Sequence, residues 1–283
     1  MVYSEQGPAD ADFHLLLLHG LFDQRATWSL ITPHLTAAGF HIVAPDLIGF
    51  GDSSRPHLSS QPDAERYSMD MQVGLLRIFI ERLGLDNLIV VGSSLGGGLA
   101  LRLLCTPWPS APQVRALVLE GAAGHAQGLP AHLQIMAGWP GRLIQHRWIQ
   151  SMALRSGVLD ILTRQTFRRA FHDPGKIRAE VLQSALDVLH IPGTLDAYRQ
   201  SVRNLIPADI SDFPKRYQEI DIPTLILWGR EDNIVPPLFG LLFEEQISNS
   251  TLHVFDECGH APHLELPEET AVVIRDWIRR RLS

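Results

Sequence analysis

Short apolar runs recur along this chain, each separated from the next by helical periodicity or turn residues, and that alternation restricts the fold more than any other feature. The runs are FHLLLL (13–18), HIVAP (41–45), LIVVG (88–92), VRALVLE (114–120), PTLILWG (223–229) and TLHVF (251–255). They are too short for helices, and they are almost continuously hydrophobic where a half-exposed strand would alternate with polar residues. Strands of this kind need cover on both faces, as in a mostly parallel sheet with helices packed on either side.

Helix boundaries support the same arrangement. Ser68 is placed to cap MDMQVGLLRIFIERL, in which Val73, Leu76, Ile80 and Leu83 share one face before Gly84 ends the helix. The last helix is expected to start at Pro267 and to turn Val273, Trp277 and Ile278 inward. Between about His125 and Tyr217 no strand is legible, only helical stretches broken by Gly and Pro. A helical insertion between two strands must leave the sheet and return to it, which predicts a lid over one edge. The expected division is 1–124 and 218–283 for the two parts of an α/β core, with 125–217 as the helical lid.

Composition narrows the function. With 283 residues, 45% hydrophobic and 19% charged, the chain reads as an ordered globular protein. Its formal charge of −7 argues against a nucleic-acid partner, which would require a basic excess. The run Arg279, Arg280 and Arg281 suits the negative end of a terminal helix. Cys105 and Cys258 are too few for a disulfide framework. The N-terminal segment has acidic residues and no basic stretch before its apolar run, so no secretory signal is expected, and no apolar run approaches the ~20 residues of a membrane-spanning helix. The expectation is a reduced, cytoplasmic protein without an integral membrane segment. Lys176 and Lys215 lack the apolar surroundings that would suit them to Schiff-base chemistry.

The segment VVGSSLGGGLALRLL (90–104) carries the chemistry. A reactive serine on a sharp turn between strand and helix needs glycine two residues before and two after, because a Cβ there would strike neighbouring backbone. Ser94 has Gly92 and Gly96 at those offsets; Ser93 has Val91 and Leu95. Ser94 is therefore the candidate nucleophile. Leu95, at the positive end of the helix that follows, would present a backbone N–H to a developing oxyanion.

In LLLLHG (15–20), APDLIGFGDSSRP (44–56), VGSSLGG (91–97), LWGREDNIVP (227–236) and CGHAPHLELPEE (258–269) the chain resembles the α/β-hydrolases. Within them it is similar to the lidded serine hydrolases that include bacterial esterases, lipases and monoacylglycerol lipases. The resemblance covers nearly all of the chain outside the lid and implies the α/β-hydrolase fold. It implies a triad in the order Ser94, Asp232, His260, with His260 chosen among 13 histidines as the family's Gly-His pair near the C-terminus. His263, His253 and His14 are read as surface or packing residues. Asp232 follows the strand LILWG and precedes Val235 and Pro236; Glu120, at the end of VRALVLE, is the rival acid. Glu231 is read as solvated. Leu21, after the His19-Gly20 pair, would supply the second oxyanion N–H. Asp46, Asp52 and Ser53 are expected to build a tight turn supporting that loop.

The resulting expectation is acyl transfer from a carboxylic ester of small to medium acyl chain to water, with no cofactor and no metal. The substrate would be a small molecule, and the sequence leaves the oligomeric state open. Met136, Trp139, Trp148, Phe167 and Phe171 of the lid are expected to lie mostly in the core between lid and sheet. A carbon–carbon hydrolase of ring-fission products is the alternative, although HGLFDQ lacks the Gly-Pro-Gly continuation common in such enzymes. A ligand-sensing receptor on the same fold is the non-enzymatic one. The serine weighs against dehalogenase or epoxide-hydrolase chemistry, which needs a carboxylate at that position.

Overall fold

The computed structural model describes residues 1–58 and 60–282. Seven strands form one sheet: β1 (Tyr3–Gln6), β2 (His14–Leu18), β3 (His41–Pro45), β4 (Leu88–Ser93), β5 (Val114–Glu120), β6 (Thr224–Gly229) and β7 (Ser250–Phe255). Their order across the sheet is β1-β3-β2-β4-β5-β6-β7. All neighbours are parallel except β1, which pairs antiparallel to β3 with Tyr3 opposite Pro45. All six apolar runs are strands. The seventh, β1, gave no signal because it is a four-residue edge strand, YSEQ, mostly in solvent, with no apolar face to bury.

The continuous hydrophobicity of the inner strands is explained by two cores, one on each side of the sheet. Leu16, Leu18, Val90, Leu117, Leu119, Ile226 and Trp228 enter one core. Their alternate neighbours Leu15, Leu17, Ile89, Val91, Ala116, Val118, Leu225 and Leu227 enter the other. Successive side chains point to opposite faces, so a strand covered on both sides has no position left for a polar residue.

The chain order creates the crevice in which a site can form. From β2 the chain goes to β3 on one side of it, and β4 lies on the other, with Leu18 opposite Gly92. Loops leaving the carboxyl ends of β2 and β4 therefore diverge, and in open α/β sheets ligands bind at such a point. Between β5 and β6 the chain forms a helical cap, including helices Ala131–Ala137, Arg147–Arg155, Val158–Ala170, Ala179–Leu189 and Thr194–Arg203, with no strand among its described residues. Phe171 is buried, and Phe167 and Met136 pack at the edges of cores. Trp139 and Trp148 are not in the core: they are 74% and 67% exposed. The inward sides of their elements are already filled by Ile144, Leu154 and Leu159.

The helix Met69–Leu83 ends as its sequence dictates. Ser68 Oγ accepts a hydrogen bond from the Met71 N–H at 3.2 Å, and Gly84 closes the helix in the left-handed conformation at φ 61°. Replacing Ser68 by Ala is expected to cost about 1 kcal/mol, the usual worth of such a cap, read as a lower urea midpoint at unchanged slope.

Candidate active site

Ser94 sits between β4 and the helix Leu95–Cys105 with φ 52° and ψ −115°, a conformation costly for a residue with a side chain. Two backbone bonds hold it there: its N–H donates to the Glu120 carbonyl and its carbonyl accepts from Ala123 N–H, each at 2.9 Å. The flanking glycines are required by contact. A Cβ on Gly96 would strike the Leu18 carbonyl, and one on Gly92 would strike the backbone of Gly96. Ser93 is buried as the last residue of β4.

The loop after β2 packs around the same serine. A side chain at Gly20 would come within 3.3 Å of Ser94 Cβ, so the loop after β2 lies directly against the candidate nucleophile. His19 is fully buried; its Nε2 accepts from Leu47 N–H at 3.1 Å, which leaves Nδ1 protonated to donate to the Gly20 carbonyl at 2.8 Å. That bond fixes the peptide preceding Leu21. The backbone N–H groups of Leu21 and Leu95 have no hydrogen-bond partner among the described residues. Asp46 holds the loop from behind: its carboxylate accepts from the backbone N–H groups of Arg25 (2.6 Å) and Asp52 (2.8 Å) and pairs with the Arg25 guanidinium. Ser53 Oγ donates to the Asp46 carbonyl. The turn thus has the supporting part expected of it.

His260 Nδ1–H donates to Asp232 Oδ2 at 2.8 Å. Asp232 is buried, and its other oxygen accepts from Ile234 N–H (2.8 Å) and Val235 N–H (2.9 Å). Burial works against a charged imidazole at His260, but the Asp232 charge and hydrogen bond, with Glu120 and Asp23 further off, outweigh it and hold the pKa above its ordinary value. Among the described residues Ser94 Oγ makes no hydrogen bond, to His260 or to any other group. The segment after β5 touches both: the Glu120 carbonyl accepts from the Ser94 N–H, and a side chain at Gly121 would come within 3.0 Å of His260 Nδ1.

Glu120 is engaged elsewhere. Its Oε1 accepts from His263 Nδ1–H at 2.5 Å and His263 Nε2 bonds Thr27 Oγ1 at 2.8 Å, with the ring 4.4 Å from that of Trp28. His263 is therefore a buried, carboxylate-paired residue and not a surface one. Its spacing of three from His260 and the acid at a buried strand end were the signals available. Glu231 also departs from the solvated reading: its carboxylate accepts from Cys258 N–H at 3.0 Å. Glu265 carries no signal in the sequence. Buried, it accepts backbone N–H bonds from Gly259 (2.8 Å), His172 (3.1 Å) and Asp173 (2.7 Å), joining the loop of His260 to the end of the cap helix. The His260 N–H donates to the Ala170 carbonyl at 2.6 Å in the same place.

No group of three or more His, Cys, Asp or Glu side chains suited to a metal occurs among the described residues. No helix among them is long and apolar enough to cross a membrane.

A sequence profile of the α/β-hydrolase fold matches residues 14–267, and the chain belongs to that family. It is 28% identical over 278 residues to 2-hydroxymuconate semialdehyde hydrolase of Pseudomonas sp. (strain CF600), covering 95% of this chain and 87% of that protein. Lipase 1 of Psychrobacter immobilis is 25% identical over 281 residues, 96% of this chain and 78% of the lipase. In structure the chain is similar to the meta-cleavage product hydrolase of Pseudomonas fluorescens IP01, with a TM-score of 0.77 at 22% identity over 98% of this chain and 93% of that one.

Because the folded-state pKa of His260 lies above the unfolded value, its pair with Asp232 contributes stability fully below about pH 6.5 and loses it as pH rises through the folded value. An NMR titration of the His260 ring should give a midpoint above 6.5. In Asp232→Asn, with the attracting charge gone, the midpoint should fall.

Proposed function

We propose that this α/β-hydrolase-fold enzyme is a serine hydrolase in which Ser94 is the nucleophile, His260 the general base and acid, and Asp232 the residue that orients and charges His260. The observation that carries this reading is the buried Asp232–His260 hydrogen bond beside a strained serine flanked by two unpaired backbone N–H groups. A hydroxyl is a weak nucleophile at neutral pH; removal of its proton by an imidazole makes it competent, and the carboxylate stabilises the imidazolium that results. The oxyanion would settle on the N–H groups of Leu21 and Leu95.

The substrate reading that the relatives support better is a carbon–carbon bond in a ring-fission product. The dienol would first pass its enol proton to the carbon beside the distal aldehyde or ketone, giving the keto tautomer. Ser94 would then attack that carbonyl, and collapse of the tetrahedral oxyanion would break the adjacent carbon–carbon bond. The electron pair departs as a dienolate conjugated with the new keto group and takes up a proton, and water deprotonated by His260 then releases the acid from Ser94. Support comes from the likeness to 2-hydroxymuconate semialdehyde hydrolase along nearly the whole chain. The ester reading keeps a specific support of its own. HGLFDQ departs from the Gly-Pro-Gly loop of carbon–carbon hydrolases, and a lipase is similar over the same extent.

Turnover of a ring-fission dienoate and of p-nitrophenyl esters of graded length separates the two, with Ser94→Ala as control. Dienoate cleavage should exceed ester hydrolysis, and Ser94→Ala should abolish both; ester turnover alone would replace the carbon–carbon reading. Asp232→Asn should lower kcat about 10⁴-fold, as expected when the orienting acid is lost. Glu120→Gln should lower it far less, and the reverse ranking would transfer the acid's part to Glu120.

A further inference from the structure

The cap carries an outward face that the hydrolytic chemistry does not use. Residues 131–170 contain six arginines and one aspartate, with no lysine or glutamate, in a chain whose formal charge is −7. Arg142, Arg155, Arg164, Arg168 and Arg169 are exposed. No salt bridge among the described residues involves them.

Large apolar side chains lie in solvent on the same four elements: the helix Ala131–Ala137, the 3₁₀ turn Pro140–Gln145, and the helices Arg147–Arg155 and Val158–Ala170. Ile135 (61%), Trp139 (74%), Trp148 (67%), Met152 (59%) and Ile161 (55%) are among the most exposed. Trp148 and Met152 are four apart on one helix, and Val158, Ile161 and Leu162 are three and four apart on the next, so each group shares a helix face. The elements pack successively against one another, and Met136, Ile144, Leu154 and Leu159 already fill the side turned to the core. These helices are therefore apolar on two faces, one of them unpartnered. Contiguous exposed surface of that kind marks an interaction site.

We propose that this face of the cap docks peripherally on the surface of an anionic lipid bilayer. Indoles concentrate at the level of lipid headgroups, aliphatic side chains enter the acyl boundary just below, and arginines pair with headgroup phosphates at the level of the indoles. One surface thus satisfies both halves of the pattern. A second copy of the chain does not, because a two-fold contact through this face would set these five exposed arginines against the same five. The remainder of the molecule holds the acidic excess, so the charge asymmetry would turn the cap toward the lipid.

The inference is independent of the proposed reaction, since docking is read without turnover. The full-length Ser94→Ala protein should co-sediment with vesicles containing about equal parts phosphatidylglycerol and phosphatidylcholine at roughly 0.05 M salt, and dissociate near 1 M salt. It should bind pure phosphatidylcholine vesicles far less. The paired substitution Trp139→Ser/Trp148→Ser should lower the partition coefficient about tenfold or more, and Arg164→Gln/Arg168→Gln by a similar factor. All four side chains are exposed, and unchanged circular dichroism is expected. Absence of binding to the anionic vesicles, equal binding to neutral ones, or no effect of either pair overturns the proposal. So does a dimer in light scattering that Trp139→Ser/Trp148→Ser converts to monomer, which would assign the face to a second copy.

Discussion

The backbone of Ser94 is held where a residue with a side chain is unstable by itself, and much of the molecule serves to hold it there. A left-handed φ at a serine costs on the order of 1–3 kcal/mol. The restraint comes from parallel strands on both sides: Glu120 at the end of β5 accepts the Ser94 N–H, Ala123 donates to its carbonyl, and Gly96 lies against the end of β2. The two cores that clamp the sheet between them resist relaxation of this turn, because straightening it would separate β4 from its neighbours. Strain at the turn and burial of the sheet are thus one arrangement seen at two scales.

Three buried carboxylates surround the loop of His260, and their hydrogen-bond partners assign them different work. Asp232 faces the imidazole with one oxygen and accepts from two backbone N–H groups with the other. Glu120 is bound to His263, which in turn bonds Thr27, and its own carbonyl accepts from the Ser94 N–H. Glu265 touches only backbone N–H groups in the bonds it makes. A buried carboxylate is stabilised by the hydrogen bonds it accepts, and because the three accept from different groups, each fixes the geometry of a different segment, although Glu120 Oε2 has no partner among the described residues.

The legible part of the molecule was the part governed by periodicity and by backbone sterics. Inner strands had to be apolar on both faces, Ser68 and Gly84 had to bracket their helix, and a serine in a sharp turn had to have Gly92 and Gly96. The illegible part depends on contacts between residues far apart in sequence. Nothing near Glu120 announces that its partner is His263, 143 positions later. Nothing in LELPEE says that the glutamate at 265 meets the backbone of residues 172 and 173. Trp139 and Trp148 were misplaced for a related reason: helical patterning identifies an apolar residue, but only the three-dimensional packing tells which of two apolar faces the core has taken.

The carboxylate of Glu265 has a mechanical implication for how the cap can be exchanged among enzymes of this architecture. By gripping the end of one cap helix and the loop of His260 together, it makes residues 170–173 part of the frame around His260 although they belong to the insertion. A transplanted cap that failed to present two correctly aimed peptide N–H groups at this junction would displace the His260 imidazole even with Ser94, Asp232 and His260 all in the sequence. The seam for recombination therefore runs through the middle of the insertion, between its outward helices and this short inner edge.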